Sequence, residues 1–164
     1  MKKGMWMLIA SLISLSMMTG CSDSKEEAQE PSEPKAGEPT SFTTVNDVEG
    51  VTMEVKKDSI SATGVTIVFE NTTDEEYTYG EDYWLEKKVN DKWTQLPILV
   101  EGNWGFNAIG YQLDPHDKKE WKISWNDFYG EMEPGDYRMV KSILLTFEAG
   151  GYDKSYLAAE FTIE

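Results

Sequence analysis

The chain has 164 residues, enough for one domain, with 30 acidic and 15 basic side chains and a formal charge of −15. That balance opposes binding to DNA, RNA, anionic headgroups and anionic wall polymers, because such partners are recognised by Lys and Arg neutralising their charge. The one cysteine, Cys21, excludes an internal disulfide, so the fold must be stabilised by packing alone.

In chain order the first feature is a targeting segment. Lys2 and Lys3 form a short positive end, an apolar run follows from Met5 to Met18, and Met18-Thr19-Gly20-Cys21 closes it with small residues before a cysteine. This is the order of a secretory signal peptide. The alternative is an uncleaved membrane span, but the run has roughly 14 residues, diluted by Ser11, Ser14 and Ser16, where about 20 apolar residues are needed. The cysteine at the cut makes the segment resemble the lipobox of bacterial lipoproteins, with Met18 where that family usually has Leu. The resemblance implies cleavage after Gly20, a diacylglyceryl anchor on Cys21, and a protein held at the extracytoplasmic face of the cell membrane. Without Lys2 and Lys3 the remaining chain has 13 basic and 30 acidic residues, a formal charge of −17.

Ser22–Ser41 follows, with six acids, two lysines, three prolines and no large apolar residue. Such a composition buries too little surface to offset ordering entropy, and it is expected to be a disordered acidic linker. From Phe42 to Glu164 the texture changes to short alternating runs. Val51, Met53 and Val55 alternate, then Val65, Ile67 and Phe69, then Tyr77 and Tyr79; Tyr83, Leu85 and Val89 lead into Asn90-Asp91, a hairpin signal before Trp93–Leu96. Pro97–Tyr111 is irregular. Trp121, Ile123 and Trp125 alternate again, Asn126–Tyr129 predicts one helical turn, Tyr137–Phe147 reads as a long strand, and Leu157, Ala159, Phe161 and Ile163 close with a period of two. No long amphipathic helix follows Cys21, and seven to nine short strands predict an all-β antiparallel sandwich. Five Trp, eight Tyr and six Phe beyond the signal peptide supply a core.

Glu133-Pro134-Gly135-Asp136-Tyr137-Arg138-Met139 is the sharpest fold signal. In immunoglobulin-type sandwiches a tyrosine stands near the start of strand F, two residues before a disulfide cysteine, its hydroxyl bonded to upstream backbone. Pro134 and Gly135 then make the turn, Tyr137 the corner, and Met139 fills the cysteine's place. Together with Phe69–Gly80 and Leu85–Lys88 plus Trp93, the segment Met132–Lys141 resembles a bacterial immunoglobulin-like domain of exported Bacillus-type and Clostridium-type proteins. The resemblance spans Gly64–Glu164, with the Thr43–Ser61 strands added from patterning, and implies an accessory module rather than an enzyme. Arg138 is the one arginine among the basic residues, as an AT-rich Gram-positive genome favours.

A catalytic constellation is not legible, so no catalytic, metal or cofactor residue is assigned. His116 is the lone histidine, whereas a zinc site needs three or four ligands and a triad needs company. The carboxylate pairs Glu75-Glu76, Glu81-Asp82, Asp114/Asp117 and Glu131/Glu133 lie in expected turns, where acids serve solubility and turn formation. Trp84 is out of phase with Tyr83 and Leu85, so Trp84, Trp104 and Tyr111 are candidates for an exposed aromatic surface. The expected partners are the membrane, through Cys21, and an extracellular protein or wall component. Two rival expectations are a protease inhibitor or sensor that inserts Gly102–Gly110 into a cleft, and a wall-glycan binder that stacks sugars on the aromatics.

Overall fold

The computed structural model describes residues 37–147 and 150–164, so the lipobox and most of the acidic linker lie outside the described residues. The alternating runs form strands β1 (Val51–Val55), β2 (Gly64–Asn71), β3 (Tyr77–Tyr79), β4 (Trp84–Val89), β5 (Lys92–Gln95), β6 (Tyr111–Leu113), β7 (Lys118–Ser124), β8 (Gly135–Thr146) and β9 (Tyr152–Ile163). A single helical turn, α1 (Asn126–Tyr129), stands where the sequence predicts it. β1, β2 and β7 form one antiparallel sheet, and the other six strands form the second, in the order β5-β4-β8-β3-β6 with β9 on the far edge of β8. Asn90 and Asp91 both adopt positive φ (50° and 61°), the conformation with which a two-residue hairpin follows the strand twist between β4 and β5.

β8 is the axis of the larger sheet. Along one edge it pairs with β9 over its whole length, from Gly135↔Ile163 to Thr146↔Tyr152. Along the other edge its first half pairs with β4 and its second half with β3, so β3 and β4 act as one strand interrupted at residues 80–83. The period of two sends Tyr137, Met139, Ile143 and Leu145 of β8 and Leu157, Ala159, Phe161 and Ile163 of β9 between the sheets, against Val65, Ile67, Phe69 and Ile123. Trp125, at the end of β7, is fully buried, stacks on Phe161 at 5.6 Å and donates its indole N–H to the Ala62 carbonyl at 2.9 Å.

The corner forms as the sequence predicts. The Tyr137 hydroxyl donates to the Glu133 carbonyl at 2.7 Å, its ring stacks on Phe161, and Met139 is fully buried in the cysteine's place. Gly135, with φ of +156°, is crossed by the Lys87 side chain, whose Cε would lie 3.0 Å from a Cβ at that position.

The outer face of the larger sheet is covered by the N-terminal segment, which composition alone does not indicate. Gly37 donates to Gln95, Gln95 to Glu38 and Thr40 to Trp93, so the last residues read as linker run along β5 like an added strand. Phe42 then lies buried between Trp84 (5.2 Å) and Tyr156 (5.0 Å), above Val140 and Ala158. Asn46, at φ 58°, ends the crossing on β9: its side chain accepts from the Ala158 N–H and donates to the Ala158 carbonyl, and its own N–H donates to Tyr156. Beneath this strap Arg138 donates to Glu86 and to the Thr40 hydroxyl (3.0 Å) and lies 5.0 Å from the Trp93 ring.

Two substitutions test this architecture by urea denaturation. Tyr137→Phe is expected to lower stability by about 1 kcal/mol, the net worth of a buried hydrogen bond; unchanged stability would remove Tyr137 from the corner role. Phe42→Ala is expected to cost about 3 kcal/mol, because a buried aromatic is lost between two rings. A cost near zero would mean that the strap is not part of the folded unit.

Candidate interaction surface

Of the carboxylate pairs, Glu81-Asp82 and Asp114/Asp117 are tied into the scaffold. Glu81 accepts from the Asn107 amide at 2.8 Å and from the Tyr111 hydroxyl at 2.9 Å, and these bonds hold its carboxyl below the usual range. Its neighbour Asp82 accepts from the Ser142 hydroxyl at 2.8 Å. Asp114 and Asp117 both reach the Lys119 ammonium, at 2.9 and 3.3 Å, and raise its pKa. Glu76 accepts from the Gln112 amide. His116, at φ 54° in its turn, pairs on the surface with Asp74. Glu131 and Glu133 line a cleft of about 210 Å³ with Lys87, Tyr129, Met132 and Tyr137. Lys87 sits 5.3 Å from the Tyr137 ring centroid at this cleft. Among the described residues no group of three or more His, Cys, Asp or Glu could hold a metal ion.

The three aromatics singled out by the sequence do not share one surface. Trp84 faces outward on β4, as its phase requires, but is half-buried under Phe42. Tyr111 is half-buried and stacked on Tyr79 at 5.5 Å. Trp104 is exposed. It stands on a pedestal of Phe106 and Phe128, edge-on to both at about 6 Å, and Phe106 in turn packs on Tyr83. The loop that carries it is pinned at three points: the Leu99 N–H donates to the Phe128 carbonyl at 2.7 Å, and Asn107 and Tyr111 hold Glu81. Residues 97–110 therefore present Leu99, Trp104 and Ile109 to solvent from a braced base.

Lys141 is the group the sequence reading missed, although its signal was there: it falls inward between Met139 and Ile143 in the alternation of β8. Its side chain is fully buried. The ammonium donates to the carbonyls of Gly80 and Asp82, both at 2.6 Å, and lies 4.4 Å from the Trp121 ring and 5.6 Å from that of Tyr79. It thereby satisfies the backbone that the break between β3 and β4 leaves unpaired. Burial pulls its pKa down to about 8, against the opposing pull of the Asp82 and Glu81 charges.

Two antiparallel sheets of three and six strands, closed by a corner tyrosine where β8 begins, define an immunoglobulin-type sandwich with braced loops. The chain belongs to the bacterial Ig-like domain family, whose model matches residues 47–162 and so includes β1, upstream of the segment that carries the resemblance. A search of curated proteins finds no match to it.

The buried lysine makes a pH prediction. Its folded pKa lies below its ordinary 10.5, so above about pH 8 the unfolded chain keeps a proton that the folded chain releases, and stability rises with pH. Above pH 10 the sign reverses: burial holds the Tyr129 hydroxyl up at about 12, so tyrosines ionise first in the unfolded chain. Unfolding free energy is expected to rise by about 2 kcal/mol from about pH 7 to about pH 9.5. Lys141→Met should abolish the rise; urea midpoints across this range, for both proteins, are the check.

Proposed function

We propose that this chain is a membrane-anchored lipoprotein that presents a non-catalytic Ig-like interaction module on the extracytoplasmic face of the cell. Anchoring is supported by the Met18–Cys21 motif and by the acidic, proline-bearing segment that follows it. Two acyl chains on Cys21 hold a protein at a bilayer firmly where one binds only marginally. Bacterial Ig-like domains are generally non-catalytic interaction modules, which agrees with carboxylates committed to hydrogen bonds within the scaffold.

The observation that carries the interaction reading is the braced loop 97–110, where Leu99, Trp104 and Ile109 are exposed on a rigid aromatic base. Three large apolar side chains carried by one braced loop support reading that loop as the contact surface, because exposed apolar groups brought together favour being covered. The wall-glycan alternative now rests on Trp104, since Trp84 lies under Phe42 and Tyr111 against Tyr79.

Cys21→Ala tests the anchor. The lipidated protein is expected in the detergent phase of a phase-separating extract, and the variant in the aqueous phase. A variant that still enters detergent would make the hydrophobic segment itself the anchor.

A further inference from the structure

We propose that the loop 97–110 is a second membrane contact, inserting Leu99, Trp104 and Ile109 into the interfacial region of the bilayer to which Cys21 is attached. The inference rests on the reading of Cys21 as a lipid anchor and adds where the folded body touches the membrane.

The first argument is charge. In a chain with 30 acidic residues, the fourteen residues Pro97–Gly110 contain one charged side chain, Glu101, alongside Ile98, Leu99, Val100, Trp104, Phe106 and Ile109. The net negative charge that opposes polyanions elsewhere is nearly absent from this loop. Its own side chains therefore suit a low-dielectric environment, while the carboxylates of Glu131 and Glu133 line the cleft that Leu99 borders.

The second is exposure on a fixed base. Leu99, Trp104 and Ile109 are 59, 46 and 47 % exposed, and Gly102 and Gly105 have no atom within 4 Å of where a Cβ would stand, so the loop projects into open space. Its roots are held by the Leu99 to Phe128 bond and by Glu81, and Phe106 and Phe128 pack at 4.8 Å, mutually tilted, against Trp104. Insertion then needs little ordering of the loop, which removes part of the usual cost of binding. A tryptophan with an apolar body and an N–H suits the headgroup boundary, where one end is dry and the other wet.

The third is where the chain leaves the body. Gly37 donates to the Gln95 carbonyl, and the loop begins within two residues of Gln95, so the anchored segment and the apolar loop meet at the same end of β5. The 15 residues between Cys21 and Gly37 allow the two to separate by at most about 55 Å when fully extended. A lipid on Cys21 makes contact between loop and bilayer effectively intramolecular, so even a weak insertion is populated.

The test uses the full lipidated chain with phosphatidylcholine vesicles whose acyl chains carry bromine, a short-range quencher of tryptophan. The expected result is loss of part of the emission with a shift to shorter wavelength, both absent in Trp104→Phe. Leu99→Glu should likewise abolish the quenching, while flotation with the vesicles persists in both variants. Quenching that is absent, or equal in wild type and Trp104→Phe, overturns the loop contact whether or not the chain floats. Flotation reports separately on the Cys21 anchor. An emission shift with peptidoglycan fragments but none with vesicles also overturns the proposal and reassigns Trp104 to wall glycan.

Discussion

A single ammonium group sits where the larger sheet fails to be continuous. Lys141 enters the space between the sheets, gives two protons to the carbonyls of Gly80 and Asp82, and turns its remaining face to the indole of Trp121 on the opposing sheet. With three donors and no acceptor, a lysine can satisfy two orphan carbonyls and one aromatic face at once. The interruption of β3–β4 depends on this group, because unpaired carbonyls buried without a donor would each cost about 1–3 kcal/mol. The break in turn aims residues 80–83 so that Glu81 reaches Asn107 and Tyr111 and braces the exposed loop.

A second polar device lies on the opposite face of the same sheet. Glu86 is fully buried beside Arg138, and its Oε1 has no hydrogen-bond partner in the structure, so the pair lacks complete compensation. Such a pair adds little net stability, yet removing one partner strands a buried charge at a cost of about 3–5 kcal/mol. What it contributes here is placement: Arg138 also holds the Thr40 hydroxyl and stacks on Trp93, fixing the line along which the N-terminal strap crosses the sheet. Phe42 then covers Trp84 and Tyr156, and Asn46 closes the crossing on β9.

These two arrangements fix the break in the larger sheet and the path of the strap in a domain without a disulfide. They leave loop 97–110 with three of the exposed large apolar side chains among the described residues, the others being Val89, Phe147 and Tyr152. The strap hides the aromatics of the outer face, and Tyr79 takes up Tyr111. The loop 97–110 is left with Leu99, Trp104 and Ile109 in solvent. Functional capacity therefore lies in a loop carried by a rigid scaffold, the usual arrangement for sandwich folds.

Much of this was legible in residue order. Alternation over Val51–Val55, Val65–Phe69 and Trp121–Ile123 marked β1, β2 and β7, and Pro134-Gly135 with Tyr137 and Met139 marked the corner, because period and turn chemistry are local properties. The first five residues of β9, Tyr152 to Tyr156, and the short β6 were not, since their patterns are weak and their pairing is supplied by β8 and β3. Nor was the strap, whose Glu38-Pro39-Thr40 reads as linker until β5 and Arg138 give it partners. What the chain alone determined was its two-sheet class and its corner, set by neighbours a few residues apart, and its lack of a disulfide, set by the count of one cysteine. Which aromatics stay in solvent, where an inward lysine finds its acceptors, and how residues 37–46 lie across the sheet were decided by contacts between residues far apart in sequence, some by more than 110 positions, which only the folded chain brings together.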